Sequence, residues 1–270
     1  MNKNKDFEYY RLKAESFISQ SDLPVNLVNY SRTARIRPQA LFIYKGWAKT
    51  LGKLDKYKQA EAKYHKLCTE TPCLAGNYNS WGLLLDDQGK YAEAEEKYLQ
   101  ALKINPVYVD AFVNLAIVLS LQRKFDEAIE TYKRTLELTN RDSVVYNNLG
   151  SLYLRMGKLE QAIEKYKEAI EICEDYYLPY LNSSVAYFSL GKETEGNRAY
   201  EKGIKLLGEV PSRKEWMIKE YKVFIDQIKE ELLEEKNGDE ELKKKLLAAW
   251  QLVVDRLKDL KFSENNLVLL

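Results

Sequence analysis

Apolar and polar positions follow one another along most of this chain with the 3.6-residue period of a helix. Between Ser143 and Tyr176, the residues Tyr146, Leu149, Gly150 and Tyr153 fall on one face of such a helix. After a turn at Met156-Gly157-Lys158, the residues Leu159, Ala162, Ile163, Tyr166, Ala169 and Ile170 draw the same stripe again. The pattern predicts two short amphipathic helices joined by a glycine turn. A hairpin of this size cannot bury its apolar face alone, so it requires neighbours of its own kind.

The rest of the chain supplies them. Tyrosines recur every 34 residues at Tyr30, Tyr64, Tyr98, Tyr132, Tyr166 and Tyr200, and a second aromatic ladder runs Tyr10, Tyr44, Tyr78, Phe112, Tyr146 and Tyr180. Small residues keep the same step: Ala60, Ala94, Ala128, Ala162 and Gly196 in one series, and Ala14, Ala48, Gly82, Ala116, Gly150 and Ser184 in another. Small residues allow helix backbones to approach while the neighbouring aromatic fills the gap. Pro38, Pro72 and Pro106 close the second helix of their units. The register predicts six ungapped units, 7–40, 41–74, 75–108, 109–142, 143–176 and 177–210.

These units resemble tetratricopeptide repeats, whose period is 34 residues. The aromatic, Leu-Gly and Tyr of the family's first helix match Tyr146, Leu149, Gly150 and Tyr153, and the Ala, aromatic, Ala and Pro of its second match Ala94, Tyr98, Ala101 and Pro106. The resemblance implies an all-α fold over residues 1–210: a right-handed superhelical solenoid of antiparallel hairpins whose first helices line a concave groove. The terminal units depart from the pattern. In the first, Lys13 stands where later units carry Trp47, Trp81, Leu115 and Leu149, and Asn26 replaces the small residue. In the last, Ser183, Gly196 and Glu193 replace larger or apolar residues, which predicts looser packing there. Atypical end repeats are expected where a solenoid meets water.

Beyond Gly208 the period stops, and residues 211–270 form a separate C-terminal segment. Ser212 and Glu215 have capping-box spacing, and Trp216, Met217, Tyr221, Phe224, Ile225, Ile228 and Leu232 give the helix that follows an apolar stripe. Asn237-Gly238 breaks it and Asp239 is placed to cap a second helix carrying Leu242, Leu246, Trp250, Val253, Leu257 and Leu260. This pair reads either as a cap over the last repeat or as a partner-binding, self-associating surface. The closing NNLVLL, residues 265–270, is apolar.

Charge and composition narrow the function. Lys and Arg number 42 against 41 Asp and Glu, which gives no case for nucleic acid or an anionic membrane as partner. There is no apolar run of the roughly 18 residues that a spanning helix needs. The polar start MNKNKDFEYY is unlike a signal peptide, and three cysteines suit a reducing compartment, so the expected location is cytoplasmic. The single histidine, His65, has no partner constellation. Cys68 falls at a repeat position held elsewhere by Leu102, Leu136 and Ile170, a core-filling reading, and neither it, Cys73 nor Cys173 completes a metal set. Asp86-Asp87 reads as a solvated or peptide-facing pair, and no phosphate-binding or nucleophile motif occurs. The expectation is a protein without enzymatic activity, cofactor or metal.

Binding remains, and the groove is its candidate site. The positions after the first-helix aromatics include Lys45, Asn79, Asn114, Asn147, Asn148 and Asn182. Asn114, Asn148 and Asn182 recur one repeat apart, similar to the asparagine ladder in the repeat domain of O-linked N-acetylglucosamine transferase. A side-chain amide both donates and accepts, so it is able to hold an extended peptide backbone; the plainer alternative is that these amides serve their own helices. Leu154, Arg155, Val185 and Phe188 would wall the groove, and Lys45, Lys49 and Lys53, one turn apart, would receive acidic residues. The family's clamp for chaperone C-termini is incomplete, because Asp110 and Asn114 stand where Lys and Arg are wanted. The sequence therefore points to a scaffold or adaptor that holds a protein segment in the groove. The alternative is a subunit of a larger complex that docks through its convex face or its C-terminal helices.

Overall fold

The computed structural model describes residues 9, 12, 23–37, 39–208, 211–233 and 240–260. Among them are thirteen helices and no strand. The chain divides into two compact units, Met1–Leu138 and Thr139–Leu270.

The first unit holds α1 (Leu23–Ile36), α2 (Phe42–Gly52), α3 (Tyr57–Glu70), α4 (Ala75–Asp86), α5 (Tyr91–Ile104), α6 (Val109–Leu121) and α7 (Phe125–Thr139, whose last residue crosses the boundary). Successive helices from α1 to α6 pack on one another, and the alternate helices α2, α4 and α6 also touch, so first helices stack on first helices. The second unit holds α8 (Ser143–Arg155), α9 (Leu159–Ile172), α10 (Tyr177–Ser189), α11 (Glu193–Leu207), α12 (Pro211–Leu233) and α13 (Glu240–Asp259). Here α8 to α11 continue the hairpin pattern, while α13 packs on both α12 and α10.

The second-helix tyrosines form the spine of the core. All six, Tyr30 to Tyr200, are at most 8% exposed, and Ala60, Ala94, Ala128 and Ala162 are fully buried. The small first-helix residues are small because a tyrosine ring lies against them. A Cβ on Gly82 would sit 2.5 Å from the Tyr98 ring, and one on Gly150 would sit 2.7 Å from the Tyr166 ring. Removing such an aromatic typically costs about 3–5 kcal/mol, a large part of the 5–15 kcal/mol that holds a domain together. Burial pushes the hydroxyls of Tyr64, Tyr98, Tyr166 and Tyr200 up in pKa, Tyr200 to about 12. Of these hydroxyls, Tyr166 donates to Ser151 Oγ at 3.2 Å.

The expectations for Tyr10, Lys13, Ala14, Phe17, Pro38, Phe224, Leu232 and Asp239, for the Ser212 cap, for the Asn237-Gly238 break and for the tail at 265–270 lie outside the residues whose side chains are described. Elsewhere the helix punctuation follows the sequence. Pro72 and Pro106 come directly after the residues that close α3 and α5. Asp142 caps α8, its Oδ1 accepting from the backbone N–H of Val144 at 2.7 Å and of Val145 at 3.2 Å.

Each hairpin turns through a left-handed residue at one repeat position: Asp55, Gly89, Arg123, Gly157 and Gly191, with φ between 56° and 74°. Three of the five are glycine, for which that conformation carries no steric cost. At Gly89 a Cβ would meet nothing within 4 Å, so backbone strain alone sets the cost of filling it. Gly89→Ala is expected to lower stability by about 1–2 kcal/mol, read as a drop in the urea midpoint with an unchanged slope; an unchanged midpoint would show that the turn relaxes freely.

Candidate functional site

In the first unit, polar groups gather along the stacked first helices. Lys45 lies half-buried on α2, with Lys49 and Lys53 exposed on the following turns. Among the described residues none of the three has a carboxylate partner. Burial, and then the charge of Lys49, push the Lys45 ammonium below the ordinary lysine pKa. Across from it, α4 opens with Gly76, and a Cβ there would lie 3.8 Å from Lys45 Nζ and 3.7 Å from the Tyr108 hydroxyl. The bare glycine therefore leaves an ammonium and a phenol facing the same stretch of backbone. The Tyr108 hydroxyl lies beside the side chain of Asn79. Asn79 Oδ1 in turn accepts from Asn114 Nδ2 at 3.0 Å. Asn79 is 6% exposed and its Oδ1 is taken, whereas Asn114 is half-buried and its Oδ1 has no partner among the described residues. The strip is asymmetric: lysines on α2 at one end, the exposed carboxylate of Asp110 on α6 at the other. Phe42 and Leu83 stand beside it, 56% and 40% exposed.

In the second unit the equivalent face is covered. Asn182 on α10 donates to Asn147 Oδ1 on α8 at 3.0 Å. Asn147 Nδ2 donates to Asn148 Oδ1 at 3.3 Å. On its other side, Asn182 Oδ1 accepts from the Tyr221 hydroxyl on α12 at 2.8 Å. Asn182 is buried and both ends of its amide are spoken for; half-buried Asn148 keeps its Nδ2 unpartnered among the described residues.

Leu154 and Val185, expected as groove walls, are 1% and 0% exposed. They lie in one core with Met217, Tyr221 and Ile225 of α12 and Leu246, Trp250 and Val253 of α13. Phe188 packs against that core under the Arg256 guanidinium, 5.1 Å from its ring centre. Gly196 admits Phe188: a Cβ there would come within 2.5 Å of the ring. Arg155 is half-buried at the end of α8. The chain's own C-terminal helices thus take the contacts that the sequence assigned to a bound segment, because their apolar stripes fit the same face.

Neither Tyr108 nor Tyr221 is recognisable from sequence as a polar partner. Tyr221 is legible there only as one more member of an apolar stripe, and Tyr108 falls between helices, where periodicity is silent.

The residues read as chemically inert occupy ordinary positions. His65 makes an edge contact with the Trp81 ring at 6.1 Å, and burial pushes the Cys68 thiol up to about 11. Among the described residues no group of three or more His, Cys, Asp or Glu is placed to hold a metal, and no helix is long and apolar enough to cross a membrane.

Helix hairpins in a fixed register, with first helices stacked through small residues and amides, define an α-helical repeat protein. Over residues 82–202 its repeats match tetratricopeptide repeats. A tetratricopeptide repeat profile matches residues 107–175 and 141–202, and a second TPR profile matches residues 82–123. The fold is similar to a tetratricopeptide repeat protein from Parabacteroides merdae, at a TM-score of 0.65 and 16% identity over 92% of this chain and 99% of that one. It is also similar to pilF of Pseudomonas aeruginosa, with a TM-score of 0.60 and 16% identity over 80% and 99% of the two chains. A third similar structure is BtubC from P. vanneervenii, with a TM-score of 0.58 and 21% identity over 69% and 88%. No curated protein sequence matches the chain.

Tyr221→Phe removes the only hydroxyl bonded to Asn182 Oδ1 among the described residues and leaves that buried acceptor unsatisfied. The expected loss is about 1–3 kcal/mol in chemical denaturation. A loss within error would mean that water reaches Asn182 and that α12 does not seal this face.

Proposed function

We propose that the chain is a non-enzymatic protein-interaction scaffold of the cytoplasm, and that it holds an extended segment of a partner protein on the first-helix face of α2, α4 and α6. The observation that carries this reading is the convergence of Lys45 and the Tyr108 hydroxyl over bare Gly76, beside the half-satisfied amide of Asn114. The free Asn114 Oδ1 is an acceptor for a backbone N–H of the segment. The unpaired Lys45, Lys49 and Lys53 favour acidic residues at the α2 end, and Asp110 disfavours them at the α6 end, which gives the segment a direction. Anion binding also offsets the burial that depresses Lys45. Asn147, Asn148 and Arg155 belong to the second unit and extend this proposal only as far as Asn148's unpartnered Nδ2.

A second docking reading has its own observation: α12 leaves Trp216 and Val223 exposed by 47% and 46% while its other face completes the core. Deleting residues 211–270 would not separate the two readings, since it would strip that core. Trp216→Ala does separate them, because it removes the exposed anchor alone.

The test is fluorescence anisotropy of a labelled Asp/Glu-rich peptide with the wild type and with the Lys45→Glu/Lys49→Glu variant. Exposed pairs contribute up to about 1 kcal/mol each, so affinity should fall roughly tenfold, the thermal midpoint should hold, and added salt should shrink the difference. Equal affinities in a folded variant would contradict the reading.

A further inference from the structure

The last repeat leaves an unfilled slot on its second-helix side. The same position earlier in the chain explains its shape. On α4, Trp81 stands between the second helices of two repeats, its ring 6.1 Å from His65 of α3 and 4.7 Å from the Lys97 ammonium of α5. One repeat earlier Trp47 fills the same position under Lys63 at 4.0 Å. Leu115 and Leu149 fill it in the next two, 5% and 4% exposed. In the last repeat that position is Ser183, and the position of Lys97 and Lys63 is Ala199.

Both substitutions remove volume from one place. What they leave is a cavity of about 440 Å³ lined by Ser183, Ala199, Ile170, Tyr180 and Tyr187. That size falls within the range of ligand-binding pockets. Ser183 does not compete for its contents, since its hydroxyl donates back to the Tyr180 carbonyl at 2.9 Å. Lys167, Arg198 and Lys202 rim the slot against a single carboxylate, Glu195. All four are exposed, and none is in an ion pair among the described residues.

We infer that this slot receives one aromatic side chain, flanked by acidic residues, from a partner protein. The chain itself supplies the precedent for the anchor: the repeat geometry seats an indole at this position under a cation. The rim supplies the preference for acidic flanks. A second copy of the chain is a poorer occupant. Its exposed tryptophan, Trp216, is flanked by Arg213, Lys214 and Lys219 as well as Glu215 and Glu220, a net positive setting and not the acidic one that this rim favours. This site uses none of the residues on α2, α4 or α6, so it stands independently of the face proposed above.

The experiment is a titration of the 15N-labelled full chain with acetyl-Asp-Glu-Trp-Glu-Asp-amide, followed through backbone amide shifts. The expected result is saturable shifts centred on Ser183, Ala199 and Lys202. An otherwise identical peptide with Ala for Trp should bind about 30-fold more weakly, the size of a buried aromatic anchor. Ser183→Leu restores the residue type that fills the position in two other repeats, and it should abolish the shifts. Lys167→Glu/Arg198→Glu changes only exposed side chains that are in no ion pair among the described residues and should weaken binding roughly tenfold, giving a second measure that leaves the cavity intact. Shifts unaffected by loss of the tryptophan, or unaffected by Ser183→Leu, would overturn the proposal. So would shifts at these residues that follow protein concentration without peptide and vanish in Trp216→Ala, because the occupant would then be a second copy.

Discussion

The structure depends on one contact repeated along the chain: a buried tyrosine ring laid against a residue with little or no side chain on the preceding helix. The ring needs the gap and the gap needs the ring. With Tyr166 within 2.7 Å of where a Gly150 Cβ would lie, the glycine does not tolerate enlargement, and truncating the ring would leave a cavity. The contact is seen at Gly82 with Tyr98 and at Gly150 with Tyr166, and it fixes how closely the two helices of each of those hairpins approach. The turns are subordinate to it. Asp55 and Arg123 adopt the same left-handed conformation as Gly89, Gly157 and Gly191, which shows packing overriding a local penalty of about 1–2 kcal/mol.

Stacked this way, the first helices present polar residues to one another, and the amides decide what becomes of each face. In both units an asparagine donates to an asparagine of the preceding repeat at 3.0 Å. In the first unit the pair ends in Asn114 Oδ1, unpartnered among the described residues, on a strip whose other end carries lysines without a carboxylate partner among the described residues. In the second it ends in the Tyr221 hydroxyl, which belongs to α12. The same amide device leaves one face with hydrogen-bonding capacity and closes the other. A buried amide with one end unpaired costs about 1–3 kcal/mol, so Tyr221 has a structural reason to be where it is.

The hairpins, their register and their punctuation were legible in the sequence because each rests on local periodicity and on residues with one dominant physical role, such as Gly157 in a turn or Pro106 after a helix. The asparagine positions were legible too, but not their partners. Periodicity placed Asn114 and Asn182 at one position of their units; it did not reveal that Asn79 and Asn147, one position earlier in the preceding repeat, are what they bond. Leu154 and Val185 read as groove walls because the repeat pattern alone says nothing about what covers it. Their cover comes from Met217, Tyr221 and Trp250, on helices outside the period. Ser183 was legible as a loss of packing, and the cavity beside it follows from pairing that loss with Ala199, a coincidence visible only when both helices are placed together.

Helices α12 and α13 are therefore part of the second unit's core rather than an appendage to it, and native-state hydrogen exchange measures this directly. The slowest amides of 211–233 and 240–260 should open with the same free energy as those of α8 to α11, in one cooperative step. If the C-terminal helices instead exchange at markedly lower free energy while α8 to α11 stay protected, the face bearing Leu154, Asn182 and Val185 is only transiently covered, and the contrast between an open face in the first unit and a closed one in the second would be wrong.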